Sequence, residues 1–150
     1  MRMAEDHPAD VAMLVLRAAT QVIDGIQQGL AERGFRDVRP AHGFAFVRIS
    51  AGNASVVDVA THLGVTKQAA SQLVEQLVQR GYVTREPSAR DRRSHRLALT
   101  ERGWACTRAA QRAARDTTAA WERQLGTQRM TELHAALDAV VVPGTLRPAW

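Results

Sequence analysis

Hydrophobic residues recur at three- and four-residue intervals in several segments of the chain, and this is the spacing of one face of an α-helix. The first such segment covers residues 8–33 and ends at Gly34. Its apolar positions form two stripes, a wider face than a helix on the surface of one lobe needs, which predicts burial against a partner. One stripe comprises Ala12, Leu16, Ala19, Ile23, Ile26 and Leu30, and the other comprises Val11, Leu14, Val15 and Val22.

Three shorter helices are predicted in the middle of the chain. Residues 42–49 form an apolar segment that is followed by turn-forming residues. Ser55 is followed three residues later by Asp58, and this pair has the form of a reciprocal helix cap. It predicts a helix over 56–62 that Gly64 ends. Thr66 caps the next helix, over 67–80. Two short helices joined by a tight turn that contains glycine indicate a helix-turn-helix.

A hairpin and two further helices complete the pattern. Residues 82–85 and 96–99 alternate apolar and polar positions, as strands do, and the polar segment 87–94 between them is rich in turn-forming residues. Thr100 then caps a long helix to Leu125, and a last helix starts near residue 127 and ends before Pro143. The predicted fold is therefore mostly α with a small β-hairpin.

Basic residues are concentrated around this hairpin. The 150-residue chain has a formal net charge of +5, and residues 67–102 contain eight Lys or Arg against four Asp or Glu. Such a local excess of positive charge is typical of proteins that bind a polyanion. Charge alone is compatible with nucleic acid or with an anionic membrane surface, and the adjacent helix-turn-helix favours double-stranded DNA as the partner.

The helix from Lys67 presents polar residues at its N-terminal end, on the side opposite to its apolar stripe. We call Lys67, Gln68, Ser71 and Gln72 the reading face. An α-helix fits the major groove, where glutamine can bond to adenine, lysine can reach guanine or phosphate, and serine allows close approach. The alternative interpretation is an ordinary solvated helix face.

The hairpin tip contains Arg90, Arg92 and Arg93. A narrow basic loop can enter a minor groove or bind phosphates, with a gain from counterion release. The alternative is again a solvated charged surface, but the adjacent helix-turn-helix favours a DNA contact.

Three segments resemble the MarR family of transcription regulators. Residues 58–66 and 71–83 are similar to its helix-turn-helix, and Asp91-Arg92-Arg93, Leu97 and 99–103 match the signature D-x-R-x-x-x-(apolar)-x-L-T-x-x-G. The resemblance implies a single domain, residues 1–150, of the α+β winged helix-turn-helix class. It implies a lobe over 40–100 and dimerisation helices over 8–34 and 101–142.

The same resemblance implies a homodimer on an inverted-repeat operator, most often as a repressor that a small aromatic ligand releases. Asp91 would orient a wing arginine, and because family members often carry Arg at the position of Gln72, its base contact should differ. An effector pocket is implied between the dimer helices and the lobe, near His42 and Phe46. The excess of apolar positions in the terminal helices independently favours a two-fold dimer.

Other classes of function find little support in the sequence. No motif of a nucleotide-binding loop, hydrolase or metalloprotease occurs, so we expect no enzyme and no cofactor. The five His and the single Cys106 lack zinc-site spacing, so we expect no metal. A lone cysteine, the absence of a long apolar run and an N-terminus unlike a signal peptide favour the cytoplasm, without a membrane segment.

Two alternatives to an effector-controlled regulator remain open from the sequence. A non-specific architectural DNA-binding protein would share the basic wing but need no effector. A protein-interaction module with a vestigial helix-turn-helix would bind no duplex.

Overall fold

The computed structural model describes residues 8–88 and 95–144 of the chain. Within these ranges the secondary-structure elements are helices, except for one β-hairpin. The elements are α1 (Pro8–Glu32), α2 (Pro40–Ser50), α3 (Val56–Leu63), α4 (Lys67–Gln79), β1 (Val83–Pro87), β2 (His95–Leu99), α5 (Glu101–Leu125) and α6 (Thr127–Val140).

Three helix starts are stabilised by the capping residues that the sequence predicts. Thr66 Oγ1 accepts a hydrogen bond from the backbone N–H of Ala69 at 3.1 Å, and Thr100 Oγ1 accepts one from Gly103 at 3.1 Å. At α3 the cap is reciprocal, because the backbone N–H of Ser55 also donates to Asp58 Oδ2 at 2.8 Å. Each bond satisfies a donor that the helix itself leaves unpaired.

Two predicted boundaries differ in the structure. Helix α2 begins at Pro40, two residues before the predicted start, because proline suits the first helical position and the His42 ring accepts the free backbone N–H of Arg39 at 2.9 Å. Strand β1 extends to Pro87, which pairs with His95, whereas the sequence predicts a turn from residue 87.

The winged lobe is built from α2, α3, α4 and the hairpin. Strands β1 and β2 are antiparallel, with Val83 opposite Leu99, and the N–H of Leu97 donates to the carbonyl of Ala54 at 2.8 Å, adding a short third pairing. Side chains from all these elements fill one core. Its fully enclosed members include Val59, Val74, Leu77, Tyr82, Val83 and Leu97.

The long helices α1 and α5 pack closely because small residues face each other. A Cβ at Gly29 would overlap that of Ala113, and a Cβ at Gly25 would overlap the Thr117 hydroxyl. The N-terminal half of α1 extends beyond this contact, and α6 buries none of its residues. No helix in the described ranges is both long and apolar enough to cross a membrane.

Candidate nucleic-acid interface and adjoining cavity

Helix α4 places the predicted reading face on the surface. Lys67, Gln68 and Gln72 are exposed and Ser71 is half-buried. On the opposite side of the helix, three side chains are fully enclosed in the lobe core: Ala70, Val74 and Leu77. This arrangement anchors the helix through apolar contacts and leaves its polar face free to contact a ligand.

The turn before α4 fixes the direction in which this helix leaves α3. Gly64 has a left-handed backbone, with φ of 66°, which glycine adopts without steric cost. The next residue, Val65, donates its N–H to the carbonyl of Ala60 at 3.0 Å. The exposed N-terminal end of α4 therefore stands on a turn that is closed by backbone hydrogen bonds.

An ion pair joins α4 to the hairpin. Arg85 Nη1 on β1 lies 3.0 Å from Glu75 Oε2, and Gln79 Nε2 donates to the other carboxylate oxygen at 3.3 Å. On the neighbouring strand, Arg96 Nη2 lies 3.1 Å from Glu86 Oε2. These ion pairs hold the stem of the hairpin beside α4 and partly neutralise Glu75 and Glu86.

The predicted wing residues Arg90, Asp91, Arg92 and Arg93 lie outside the described residues. Their contacts and the orienting role of Asp91 stay predictions. The described residues stop at Ser88, one residue after β1, and resume at His95, the first residue of β2.

A polar cluster around the buried Tyr82 connects the segment after α1 to the start of β1 and to α5, with its charged members, Asp37 and Arg102, partly exposed. Tyr82 is fully buried, and its hydroxyl donates to Asp37 Oδ1 at 2.6 Å and accepts from Arg102 Nη2 at 3.1 Å. The Arg102 guanidinium carbon also lies 4.5 Å from the centre of the tyrosine ring. Burial, followed by the bond to Asp37, raises the pKa of Tyr82 to about 12.

Sequence reasoning missed this cluster because Asp37 and Tyr82 are 45 positions apart. Asp37 follows a helix end and reads as an ordinary loop acid. In the structure its carbonyl also accepts a 2.6 Å bond from Arg80, the residue that caps the end of α4. The cluster therefore holds α4, β1 and α5 in one arrangement.

His42, which the resemblance places near an effector pocket, bonds within the lobe. It is buried, its Nδ1 accepts the N–H of Arg39, and its Nε2 lies 3.4 Å from Gln76 Oε1 on α4. Because Nδ1 accepts a hydrogen bond, the neutral His42 ring carries its proton on Nε2, which donates to the side-chain amide oxygen of Gln76. Burial, as the main cause, lowers the pKa of His42 below its usual value of 6.5.

A cavity of about 330 Å³ lies between α1, α2 and α5. Phe46 forms part of its wall, as the resemblance implies, whereas His42 points to α4 and is not part of the wall. The lining consists of Ile23, Ile26, Gln27, Leu30, Val38, Pro40, Gly43, Phe44, Phe46, Val47, Ser50, Cys106, Thr107, Ala110, Gln111 and Ala114.

The described ranges contain neither a candidate metal site nor an activated thiol. No group of three His, Cys, Asp or Glu side chains there is placed to hold a metal ion. Cys106 is buried on the cavity wall, and burial raises the pKa of its thiol to about 12. The side chain is therefore a small apolar wall element at neutral pH.

Comparisons with known proteins agree with the geometry. Residues 39–94 match the family model described as MarR family. The chain is similar in structure to apo MarR from E. coli, with a TM-score of 0.71, 21% identity, and coverage of 87% of this chain and 96% of that one. No curated protein sequence matches it.

Two further similar structures hold ligands. One is a mutant of S. aureus MepR bound to an oligodeoxyribonucleotide, with a TM-score of 0.64, 19% identity, and coverage of 86% of this chain and 94% of that one. The other is a Mycobacterium tuberculosis MarR family protein in complex with salicylic acid, with a TM-score of 0.68, 23% identity, and coverage of 93% and 100%. At these identities the likeness shows the fold.

Proposed function

We propose that the protein is a transcription regulator of the MarR type, not an enzyme, and that it binds a specific DNA operator as a homodimer. The match of residues 39–94 to the MarR family model supports this proposal. We further propose that a small molecule controls this binding and that the usual outcome is repression. The single observation that carries the proposal is the exposed reading face of α4.

The reading face has the chemistry that sequence recognition requires. Gln68 and Gln72 can each donate to and accept from adenine, and Lys67 can reach guanine or a phosphate. Ser71 is short and half-buried, so the helix backbone can approach the base edges closely. The DNA complex of the similar MepR structure supports the same use of this fold.

Unpaired apolar surface on the terminal helices supports the homodimer. Leu14 on α1 is 62% exposed and Val140 on α6 is 75% exposed. Other side chains near them are exposed in the same way: Val11, Met13, Val15, Leu16, Leu137, Val141 and Val142. A second copy would cover such a surface by two-fold symmetry, which predicts an inverted repeat with half-sites about 34 Å apart.

The cavity between α1, α2 and α5 supports effector control. It adjoins both a helix of the proposed dimer interface and α2, whose His42 contacts α4. The salicylic acid complex of a similar structure favours such a site. A ligand that binds better to a dimer with displaced lobes would lower operator affinity by that difference in binding free energy.

Operator titrations at one salt concentration test base recognition. We expect Gln72→Ala to change the preference among operator variants by about 1–3 kcal/mol at one base pair. Arg92→Ala and Arg93→Ala should weaken binding on every sequence. Gln28→Ala, on the exposed surface of α1, is the matched control. Equal losses on all sequences for Gln72→Ala would contradict base reading.

Sedimentation tests the homodimer. Leu14→Glu should shift the chain to monomer and weaken operator binding, whereas Ala51→Glu, at an exposed position just after α2 and outside the terminal helices, should keep the dimer. A wild-type monomer at micromolar concentration would contradict the proposal. A nuclease footprint limited to one inverted repeat separates a regulator from an architectural protein, which would protect duplex DNA without regard to sequence.

A further inference from the structure

Among the described residues, no charged side chain lines the cavity between α1, α2 and α5. Among its lining residues only Cys106 is ionisable, and its thiol is neutral at physiological pH. The aromatic rings of Phe44 and Phe46 form part of the wall, and aliphatic side chains make up most of the rest. An ionised ligand would therefore lose part of its hydration without gaining a counter-charge from the described wall.

Three arginines on or next to the lining helices are engaged elsewhere, whereas the exposed Arg39, between the lining residues Val38 and Pro40, makes no ion pair within the described ranges but is not part of the wall. Arg33 donates to the carbonyl of Gly29 at 2.9 Å and lies 3.7 Å from Asp116. Arg48 donates to the carbonyl of Gly52 at 3.0 Å and lies 3.8 Å from Asp58. Arg102 packs on Tyr82, as described above. The arginines of the following turns of α5 are exposed and do not line the cavity: Arg108, Arg112 and Arg115.

Helix α2 begins at the cavity wall but has few free N–H groups for an anion. Pro40, its first residue, has no N–H, and the amides of His42 and Gly43 both donate to the carbonyl of Arg39, at 3.0 and 3.2 Å. The backbone N–H of Arg39 itself donates to the ring of His42. Among the first amides of the helix, only that of Ala41 makes no hydrogen bond within the described ranges, so the helix end offers an anion a single backbone donor.

The polar groups of the wall suit a neutral hydrogen-bonding ligand. Thr107 and Ser50 donate their hydroxyl protons to backbone carbonyls, at 3.0 and 2.9 Å, so each offers a ligand only acceptor capacity. The side-chain amides of Gln27 and Gln111 make no hydrogen bond within the described ranges and can both donate and accept.

We propose that this cavity selects an uncharged aromatic compound that carries one amide, hydroxyl or carbonyl group, and that it rejects a carboxylate of the same shape. The ring would pack against Phe44 and Phe46, and its polar group would meet Gln27 and Gln111. A volume of about 330 Å³ is at the lower end of ligand pockets, which suits a small ring system. This inference rests on the proposed effector control and names the ligand class.

Isothermal titration calorimetry on the full chain at pH 7.5 tests the selection with an isosteric pair, 2-naphthamide and 2-naphthoate. We expect the neutral amide to bind at least tenfold more tightly than the anion. Equal or tighter binding of the carboxylate overturns the proposal, and so does the absence of binding by both probes.

Two pairs of variants locate the effect. Gln111→Arg, at an exposed edge of the wall, should raise 2-naphthoate affinity at least tenfold, whereas Gln28→Arg on the outer surface of α1 should not. Ala110→Leu should fill the cavity and abolish amide binding, with Ala51→Leu, exposed beyond α2, as its control. Unchanged amide binding to a folded Ala110→Leu variant would place the ligand elsewhere and overturn the proposal.

The calorimetry needs no DNA, so it is independent of the proposed regulatory role. If the chain binds the amide but no duplex, the regulatory proposal fails and the selectivity of the cavity is still established. If it binds an operator and selects the carboxylate, only the ligand class is wrong. An operator titration with and without 2-naphthamide then shows whether the two sites are coupled.

Discussion

Glu75 of α4 and Arg85 of β1 form an ion pair with 3.0 Å between Oε2 and Nη1. Both side chains are partly exposed, so the pair adds little to stability in water. Its position matters more, because it places a carboxylate on the helix that carries the reading face, one turn beyond Gln72. The guanidinium reduces the repulsion between this acid and a phosphate backbone.

Removal of that acid should strengthen DNA binding. We expect Glu75→Gln to raise duplex affinity by roughly threefold to tenfold on all sequences, since one repulsive charge is lost and Arg85 becomes free for a phosphate. Fluorescence anisotropy over a range of salt concentrations measures this, with Glu132→Gln on the exposed surface of α6 as the control. A loss of affinity at one base pair would instead indicate that Glu75 accepts a bond from cytosine.

The Tyr82 hydroxyl should contribute measurably to folding. Tyr82→Phe keeps the ring packed on Phe46, whose centre lies 5.7 Å away, but removes the bonds to Asp37 and Arg102. We expect the free energy of unfolding in urea to fall by about 1–3 kcal/mol. In an Asp37→Asn background the same change should cost less, because the charged acceptor is already absent. An equal cost in both backgrounds would contradict this coupling.

The contribution of this bond should depend on pH. The hydrogen bond from Tyr82 is the main cause that lowers the pKa of Asp37 below its usual value of 3.8. A carboxyl with a lowered pKa in the folded state stabilises the protein above its unfolded pKa, and this stabilisation is lost as pH falls through the folded pKa. The stability difference between wild type and Tyr82→Phe should therefore be constant above about pH 5 and shrink below pH 3.8. A constant difference down to pH 2 would argue against it.

Two helical glycines should respond to alanine in opposite directions. At Gly29 the added methyl group would overlap Ala113, and separating α1 from α5 should cost about 1–3 kcal/mol in the free energy of unfolding. At Gly43, on α2, nothing lies within 4 Å of the new Cβ, so alanine should stabilise by about 0.5–1 kcal/mol through its helix propensity. Urea denaturation of both variants checks the prediction, and a neutral Gly29→Ala would show that the two helices separate freely.

Cys106 should be unreactive in the folded protein. With its pKa raised to about 12 by burial, little thiolate is present at pH 8. Alkylation by neutral iodoacetamide should be roughly a hundredfold slower, or more, than that of free cysteine. Unfolding in urea should restore the ordinary rate. Rapid alkylation of the native protein would show that the thiol is activated.

Much of the fold could be predicted because its signals are local. Ser55, Thr66 and Thr100 cap their helices with bonds to residues three positions away, and Gly64 ends α3 through its own backbone freedom. The apolar spacing of α4 likewise determines which side faces the core, so the exposed placement of Gln68 and Gln72 followed from the pattern alone. The predicted DNA contacts of Arg90, Arg92 and Arg93 stay predictions, because these residues lie outside the described ranges.

The sequence by itself determined the order of elements, the helix-turn-helix and the polar side of α4, because these depend on caps, turns and periodicity within a few residues. Only the tertiary structure decided that His42 bonds to Gln76, that Asp37 meets Tyr82, and that α1, α2 and α5 line a cavity with no charged side chain among the described residues of its wall. The physical reason is that such contacts join residues tens of positions apart, so they depend on how the helices pack against one another.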